Sequence, residues 1–441
     1  MKKKFSQYID KQIILTKKQE KQLHSLIDYA KKHSPRFAEL YKDIPEDFTL
    51  QDLPVTNKQF IMEDYDNWCT ASDFTLEELK QFTADPEKAG KLFKHKYTVC
   101  KTSGSTGTPF FMVYDRRECN HMYINMSADM GLKCVLHRPS VFLYPIKQHM
   151  ISICSFNKSH RTFPLMRPFL KLLDSNISTS EIIAKLNKTQ PKLLMSYPSS
   201  VELLASEQIK GNLHLNLKEI VVGGETLSEK TRTYIEDAFD CRVRSFYAST
   251  EASGIASDCL HNHMHIHNPG IILEPVDEHN QPVPAGQLAH KVLLTVLYEK
   301  TIPLIRYELN DKIIIHNEPC SCGNTTPWIT VEGRTPASPF IFKNTHGDDV
   351  PIFTSSLLVV IEGVASVRRV QLILHGHTEL ECRVDFMEGA DTQKTFKKIK
   401  KILSDCLNKN NVHNVSIYLS TKQPQVDPVT HKFVKAYQIE R

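Results

Sequence analysis

Between residues 192 and 247 the chain alternates short apolar runs with stretches of helical period. Lys192 to Tyr197 predicts a buried strand, Ser199 to Lys210 a helix, Leu217 to Val222 a strand, Ser228 to Phe239 an amphipathic helix, and Arg242 to Tyr247 a further strand. Strands that alternate with helices of this length imply right-handed crossovers and a parallel or mostly parallel sheet, with ligands beyond the carboxyl ends of its strands. Toward the C-terminus, Val367 to Leu374 and Glu379 to Phe386 alternate as strands. Thr392 to Leu407 spaces Phe396, Ile399, Ile402, Leu403 and Cys406 as one helical face, and Val415 to Leu419 is another strand. The fold class expected is α/β: a large N-terminal domain with mostly parallel sheets and flanking helices, plus a small α+β C-terminal domain.

Length agrees with two domains, because 441 residues exceed the roughly 250–300 at which a single core stops growing. No apolar run reaches transmembrane length, and the start Met1-Lys2-Lys3-Lys4 leads into a polar stretch and not an apolar signal region. The expectation is a soluble, unexported, cytoplasmic protein without membrane contact. A formal charge of +5, with lysines spread out and no interleaved aromatics, does not indicate nucleic-acid binding and leaves anionic small substrates open.

Most of the eleven cysteines stand alone, as small semi-buried residues of a reduced compartment do. Cys320-Ser321-Cys322-Gly323 and Cys259 differ, because His261, His263, His265 and His267 follow Cys259 closely. Two thiolates this close do not readily bridge each other, but Cys259, Cys320, Cys322 and a histidine can complete a tetrahedral Cys₃His zinc site. His265 is the preferred fourth ligand and His263 the reserve, within a loop region 259–322.

The segment Lys101-Thr102-Ser103-Gly104-Ser105-Thr106-Gly107-Thr108-Pro109 alternates hydroxyls and glycines. Gly104 and Gly107 let backbone N–H groups approach an anion, and Thr102, Ser103, Ser105 and Thr106 add hydroxyl donors, so it reads as a phosphate-handling loop. No Lys-Ser or Lys-Thr follows the second glycine, which excludes the usual P-loop. Two further motifs fall at predicted strand ends: Gly223-Gly224-Glu225 and Tyr247-Ala248-Ser249-Thr250-Glu251. The second can stack on a base, bond a phosphate and present a carboxylate to Mg²⁺.

Taken in order with Arg306-Tyr307-Glu308-Leu309-Asn310-Asp311, Gly333-Arg334 and Thr430-His431-Lys432, these motifs resemble the adenylate-forming ligase superfamily, in its phenylacetate–CoA ligase and capsule-biosynthesis-associated, CapK-like branch. The resemblance spans nearly the whole chain, and this branch tends to carry metal-ligand-like Cys and His residues where they stand here. It implies a large ATP- and acid-binding adenylation domain over 1–334 and a small mobile lid over 335–441. It implies ATP-dependent activation of a carboxylic acid, an aryl acid by the mix of aromatic and small residues near Tyr144, Ser196 to Ser200 and Val222 to Gly224, with transfer of the acyl group to CoA.

The roles it implies follow by position. Thr102, Ser103, Gly104, Ser105, Thr106 and Gly107 would hold the β- and γ-phosphates, with Gly224 and Glu225 also at the nucleotide. Tyr247 would pack on adenine, Thr250 bond the α-phosphate and Glu251 bind Mg²⁺. Asp311 would hold the ribose hydroxyls, Arg334 would mark the hinge and also reach the ribose or phosphate, and Lys432 would enter with the lid to stabilise the transition state. Family members usually carry Gly where this chain has Ala248, Asn310 and His431, and an acidic residue where it reads Thr335-Pro336-Ala337-Ser338. That change at the hinge keeps an amine or hydroxyl acceptor in view, as in an amide synthetase or adenylyltransferase, and also a degenerate nucleotide-binding regulator. A homodimer is compatible with all of these.

Overall fold

The computed structural model describes residues 7–9, 12–88, 91–102, 109–121, 139–144, 170–174, 177–252, 254–334, 340–352, 354, 357–358, 361, 364, 366–426 and 433–439. The chain divides into two compact units, Met1–Thr335 and Pro336–Arg441.

In the first unit, β1 (Gln7–Ile9) pairs with β2 (Gln12–Ile14), and β3 (Thr98–Lys101) with β4 (Phe111–Tyr114), both antiparallel. A nine-stranded sheet carries the rest of the architecture. Its strands are β5 (Ser140–Tyr144), β6 (Leu170–Asp174), β7 (Leu193–Ser196), β8 (Glu219–Gly223), β9 (Arg242–Tyr247), β10 (Ala256–Asp258), β11 (Met264–Ile266), β15 (Asp311–His316) and β16 (Trp328–Arg334). They lie in the order β15-β16-β11-β10-β9-β8-β7-β5-β6.

From β6 to β9 every pairing is parallel, and from β9 to β15 every pairing is antiparallel. Connection length explains the division. Helices Pro198–Ile209 and Glu229–Phe239 link β7 to β8 and β8 to β9, and a parallel pair needs such a crossover. Turns and loops that reverse the chain join β9 to β10, β10 to β11 and β15 to β16, while the segment from β11 to β15 carries a separate three-stranded sheet. The expected mostly parallel sheet is therefore the helix-bearing half of a mixed one.

Local signals set the helix ends. Pro198 opens the first of these helices, where its missing N–H costs nothing. Ser228 caps the second by accepting from Thr231 N at 3.1 Å, and Asp240 ends it in the left-handed region. Ile235 and Phe239 then face Ile220, Val222 and Val243 of the sheet, while Met195, Val221 and Phe246 point to the opposite face. Apolar residues on both faces are what a covered parallel sheet requires.

A three-stranded sheet, β12 (Ile271–Val276), β13 (Lys291–Val296) and β14 (Tyr307–Leu309), shares a core with β3, β4 and the N-terminal helices. Arg306 ties it to the N-terminal segment. Its guanidinium is paired with the fully buried Glu274 at 3.1 Å and donates to the carbonyls of Gln51 and Leu53. Arg306 is thus a structural residue of the Arg-Tyr-Glu-Leu-Asn-Asp motif, held at φ +47° by these partners.

The second unit has its own core. The pair β17 (Phe340–Lys343) and β18 (Asp349–Ile352) accompanies a four-stranded sheet ordered β21-β20-β19-β22, from β19 (Val367–His375), β20 (Glu379–Phe386), β21 (Ser416–Leu419) and β22 (Ala436–Ile439). Helix Thr392–Lys409 buries Ile399, Leu403 and Leu407 against Leu372, Leu374, Leu380 and Cys382. No helix among the described residues is long and apolar enough to cross a membrane.

Candidate functional site

The strand ends bring together several of the residues singled out by motif. Gly223-Gly224-Glu225 ends β8, and Gly224 takes φ +81°, where a Cβ would stand 2.8 Å from the Tyr197 ring. Only glycine fits both that dihedral and that ring. Glu225 turns back to the helix beginning at Pro198, accepting from Ser199 N and Ser199 Oγ at 3.0 Å each. Its carboxylate therefore locks the β8 loop to a helix N-terminus, where negative charge is favoured.

Tyr247, the last residue of β9, donates its phenol O–H to Asp311 Oδ2 at 2.8 Å. Asp311 is buried at the start of β15 and lies opposite Arg334 in the β15–β16 ladder. Four positions beyond Tyr247, Glu251 is 8 % exposed, and Tyr307 donates to its Oε1 at 3.4 Å. Tyr307 stacks on Phe110, with ring centroids 5.7 Å apart. Phe110 N in turn donates to Thr102 Oγ1 at 2.8 Å, and Thr102 N to Phe110 O at 2.9 Å. Thr102 so closes the base of the hydroxyl loop on Phe110, which stacks on the tyrosine that bonds Glu251. Tyr114, from the strand that leaves this loop, donates to the Thr250 carbonyl at 2.7 Å.

The surrounding electrostatics are carboxylate-rich. Lys58 interacts with Glu251; burial lowers its ammonium pKa and the Glu251 charge opposes that shift. Glu299 is 1 % exposed, and neither of its oxygens finds a hydrogen-bond partner among the described residues. Burial first, then the charges of Glu118 and Glu251, push its carboxyl well above the usual range. Glu118 is pushed up to about 7, by burial and then by Asp115, although it accepts from Lys300 N, Thr301 N and Thr301 Oγ1. Motif reading missed Lys58, Tyr114, Glu118 and Glu299. Tyr307 alone carried a signal, as part of Arg306-Tyr307-Glu308.

The second cluster is a candidate metal centre. One ligand atom each from Cys259, His265, Cys320 and Cys322 lies within 4.8 Å of the others. Cys259 Sγ and Cys320 Sγ are 3.7 Å apart, and Cys322 Sγ and His265 Nε2 3.5 Å. Tetrahedral zinc with bonds near 2.3 Å to sulfur and 2.0 Å to nitrogen requires edges of about 3.8 and 3.5 Å, so the four groups fit such an ion. No disulfide joins them. Backbone N–H groups of His261, Cys322 and Asn324 point at Cys259, Cys320 and Cys322 sulfur respectively, which stabilises thiolates. His265 Nδ1 contacts the Thr326 carbonyl at 2.9 Å, which leaves Nε2 toward the thiols. His263, the reserve ligand, lies outside the four: its Nδ1 is 3.2 Å from Cys320 Sγ and its ring stacks on Trp328 at 4.0 Å.

Ser103, Gly104, Ser105, Thr106 and Gly107 lie outside the described residues, as do Thr335 to Ser338 and Lys432. Of Arg334 only the backbone is described.

This arrangement of strand-end motifs on a mixed sheet, followed by a smaller α+β unit, is the fold of the adenylate-forming ligases. Among solved structures, 2-hydroxyisobutyryl-CoA ligase in the postadenylation state, in complex with R3-HIB-AMP, matches with a TM-score of 0.68 at 18% identity, over 96% of this chain and 89% of that one. The anthranilate CoA ligase AuaEII in complex with anthranoyl-AMP matches with a TM-score of 0.51 at 15% identity, over 76% and 64%. At these identities the likeness establishes the fold. No family model matches the chain. By sequence it is 26% identical over 234 residues to the protein CapK of Staphylococcus aureus, covering 51% of this chain and 49% of CapK. The chain thus spans about half the length of this curated relative.

Proposed function

We propose that this chain uses ATP to activate a carboxylic acid and then passes the acyl group to CoA. A carboxylate oxygen attacks the α-phosphorus, the bond to pyrophosphate breaks, and an acyl-adenylate forms. The CoA thiolate then attacks the acyl carbon and AMP leaves. The observation that carries this reading is the convergence of Tyr247 and Asp311 at the strand ends, with Glu251 four residues away and linked through Tyr307 and Phe110 to the base of the hydroxyl loop.

In this reading Asp311 accepts from the ribose hydroxyls and is oriented by the Tyr247 phenol. Thr250, its carbonyl pinned by Tyr114, would bond the α-phosphate through its hydroxyl. Glu251 would hold Mg²⁺, whose charge offsets that developing on the phosphates. Ser103 to Gly107 would hold the outer phosphates, and Lys432 would stabilise the transferring group. The Tyr197 ring lies against Gly224, and an aromatic side chain there suits an aryl acid. We assign zinc to the Cys₃His centre, where it holds structure, since four protein ligands leave no open position for substrate.

ATP–pyrophosphate exchange with a panel of aryl, hydroxyaryl and short aliphatic acids tests the reading, with CoA, amines and alcohols then offered as acceptors. Acid-dependent exchange lost in Glu251→Ala is expected. Absence of exchange with every acid, although ATP binds tightly, would favour the regulator. Product only with amines would replace CoA as the acceptor.

A further inference from the structure

The metal centre joins two hairpins that meet along a very short ladder. β10 and β11, with the turn holding Cys259, form the first, and β15 and β16, with the connection holding Cys320 and Cys322, form the second. Between them β11 and β16 share the pairs Met264↔Ile329 and His265↔Trp328, continued by one backbone bond from Ile266 N to the Pro327 carbonyl at 3.0 Å. A ladder of two pairs is a weak joint.

Each hairpin controls one partner of the Tyr247–Asp311 contact. Asp311 is the first residue of β15. Tyr247 ends β9, which pairs with β10 through Ala256↔Tyr247 and Ser257↔Phe246. Side chains beside the metal loop hold β9 further. The Asp258 carboxylate accepts from Ser245 N at 2.8 Å and from Arg232 at 3.0 Å, and the Arg242 guanidinium donates to the Cys259 carbonyl and, at 3.3 Å, to Asn262 Oδ1. The ligand His265 stands in the joining row itself, which runs Phe246, Ser257, His265, Trp328, His316 across five strands. Above it Trp328 lies between two imidazoles, 4.0 Å from His263 and 3.7 Å from His316.

We propose that the Cys259–His265–Cys320–Cys322 centre is a staple that sets the spacing between Tyr247 and Asp311, with Arg242 and Asp258 as positioning residues that carry its constraint into β9. The part that concerns nucleotide rests on the adenylation reading. A bound ion fixes four side chains from both hairpins at once and adds its binding free energy to the state in which they are joined. Without it the hairpins are held by the two-pair ladder, the Ile266 N–H to Pro327 carbonyl bond, the His265–Thr326 contact, the His263–Trp328 stack and shared core packing, and local opening should spread from the turns into β9 and β15.

Hydrogen exchange followed by mass spectrometry on the full chain tests this in three states: as purified and Zn²⁺-loaded, stripped with a chelator, and reloaded with Zn²⁺. ATP affinity and Trp328 fluorescence are followed alongside; the second tryptophan, Trp68, is fully buried among other residues and serves as a constant background. Stripping is expected to raise exchange in peptides over 242–247 and 311–316 as well as in the turns. It should weaken ATP binding about tenfold, the loss of roughly one well-made hydrogen bond, and Zn²⁺ should restore both. Arg242→Ala, with Zn²⁺ still bound, should reproduce the β9 exchange and weaken ATP, and Arg242→Lys should recover part of each. Exchange confined to the turns with ATP affinity unchanged overturns the proposal, as does failure to take up Zn²⁺. If exchange in β9 and β15 responds to Zn²⁺ but neither form binds ATP, the staple stands and the adenylation reading falls.

Discussion

Tyr247 and Asp311, separated by 64 positions, meet through one buried hydrogen bond of 2.8 Å. Tyr247→Phe keeps the ring and deletes the bond, so the KM for ATP should rise about five- to tenfold with little change in thermal stability; steady-state kinetics and a melting curve check it. Glu299 makes a second prediction. Its folded pKa lies well above the unfolded value of about 4.5, so its contribution to stability is fully present below that value and is lost as pH rises toward the folded pKa. Glu299→Gln mimics the neutral acid at every pH. The variant should melt with the wild type near pH 5 and above it at pH 8, and both should share a slope between about pH 4.5 and 7 from Glu118 and Glu274. Equal melting temperatures at both pH values would show that Glu299 is not held neutral. Tyr247, Glu251, Asp311 and the four residues of the candidate metal centre could be singled out from sequence because they stand in short clusters of reactive types. Lys58, Glu118 and Glu299 were not, because their significance comes from burial among segments distant in sequence.

At the scale of elements, the helix-bearing half of the large sheet was legible from period. β9 runs Arg242–Tyr247, as the apolar pattern predicts, and the helices before and after β8 fall within two residues of their expected bounds. The middle of the antiparallel half was not, since β10 and β11 have three residues each, too few to show an alternation. Their placement depends on pairing and on the convergence of the metal-ligand side chains, which only the folded chain displays. The Arg306–Glu274 pair illustrates the same limit: its motif resembles a functional one, while its partners are Glu274 and the carbonyls of Gln51 and Leu53. Arg306→Ala leaves a fully buried carboxylate and two carbonyls without their donor, and should destabilise the first unit by about 3–5 kcal/mol. Chemical denaturation measures this, and a loss below about 1 kcal/mol would show that the N-terminal segment is held by packing alone.

Across the whole molecule, two units with separate cores, Met1–Thr335 and Pro336–Arg441, carry the architecture of an adenylate-forming ligase. Most nucleotide-facing residues we propose lie in the first unit, and Lys432 belongs by sequence to the second, so the proposed chemistry needs both. The central claim is that a carboxylate oxygen attacks the α-phosphate of ATP. Incubating the protein with ATP, Mg²⁺, CoA and an acid that supports pyrophosphate exchange, labelled with ¹⁸O in its carboxyl group, tests it directly. Mass spectrometry of the AMP should show one ¹⁸O per turnover, carried over when the acyl–oxygen bond breaks. AMP free of label, with acid consumed, would contradict an acyl-adenylate and with it the account given for Tyr247, Glu251 and Asp311.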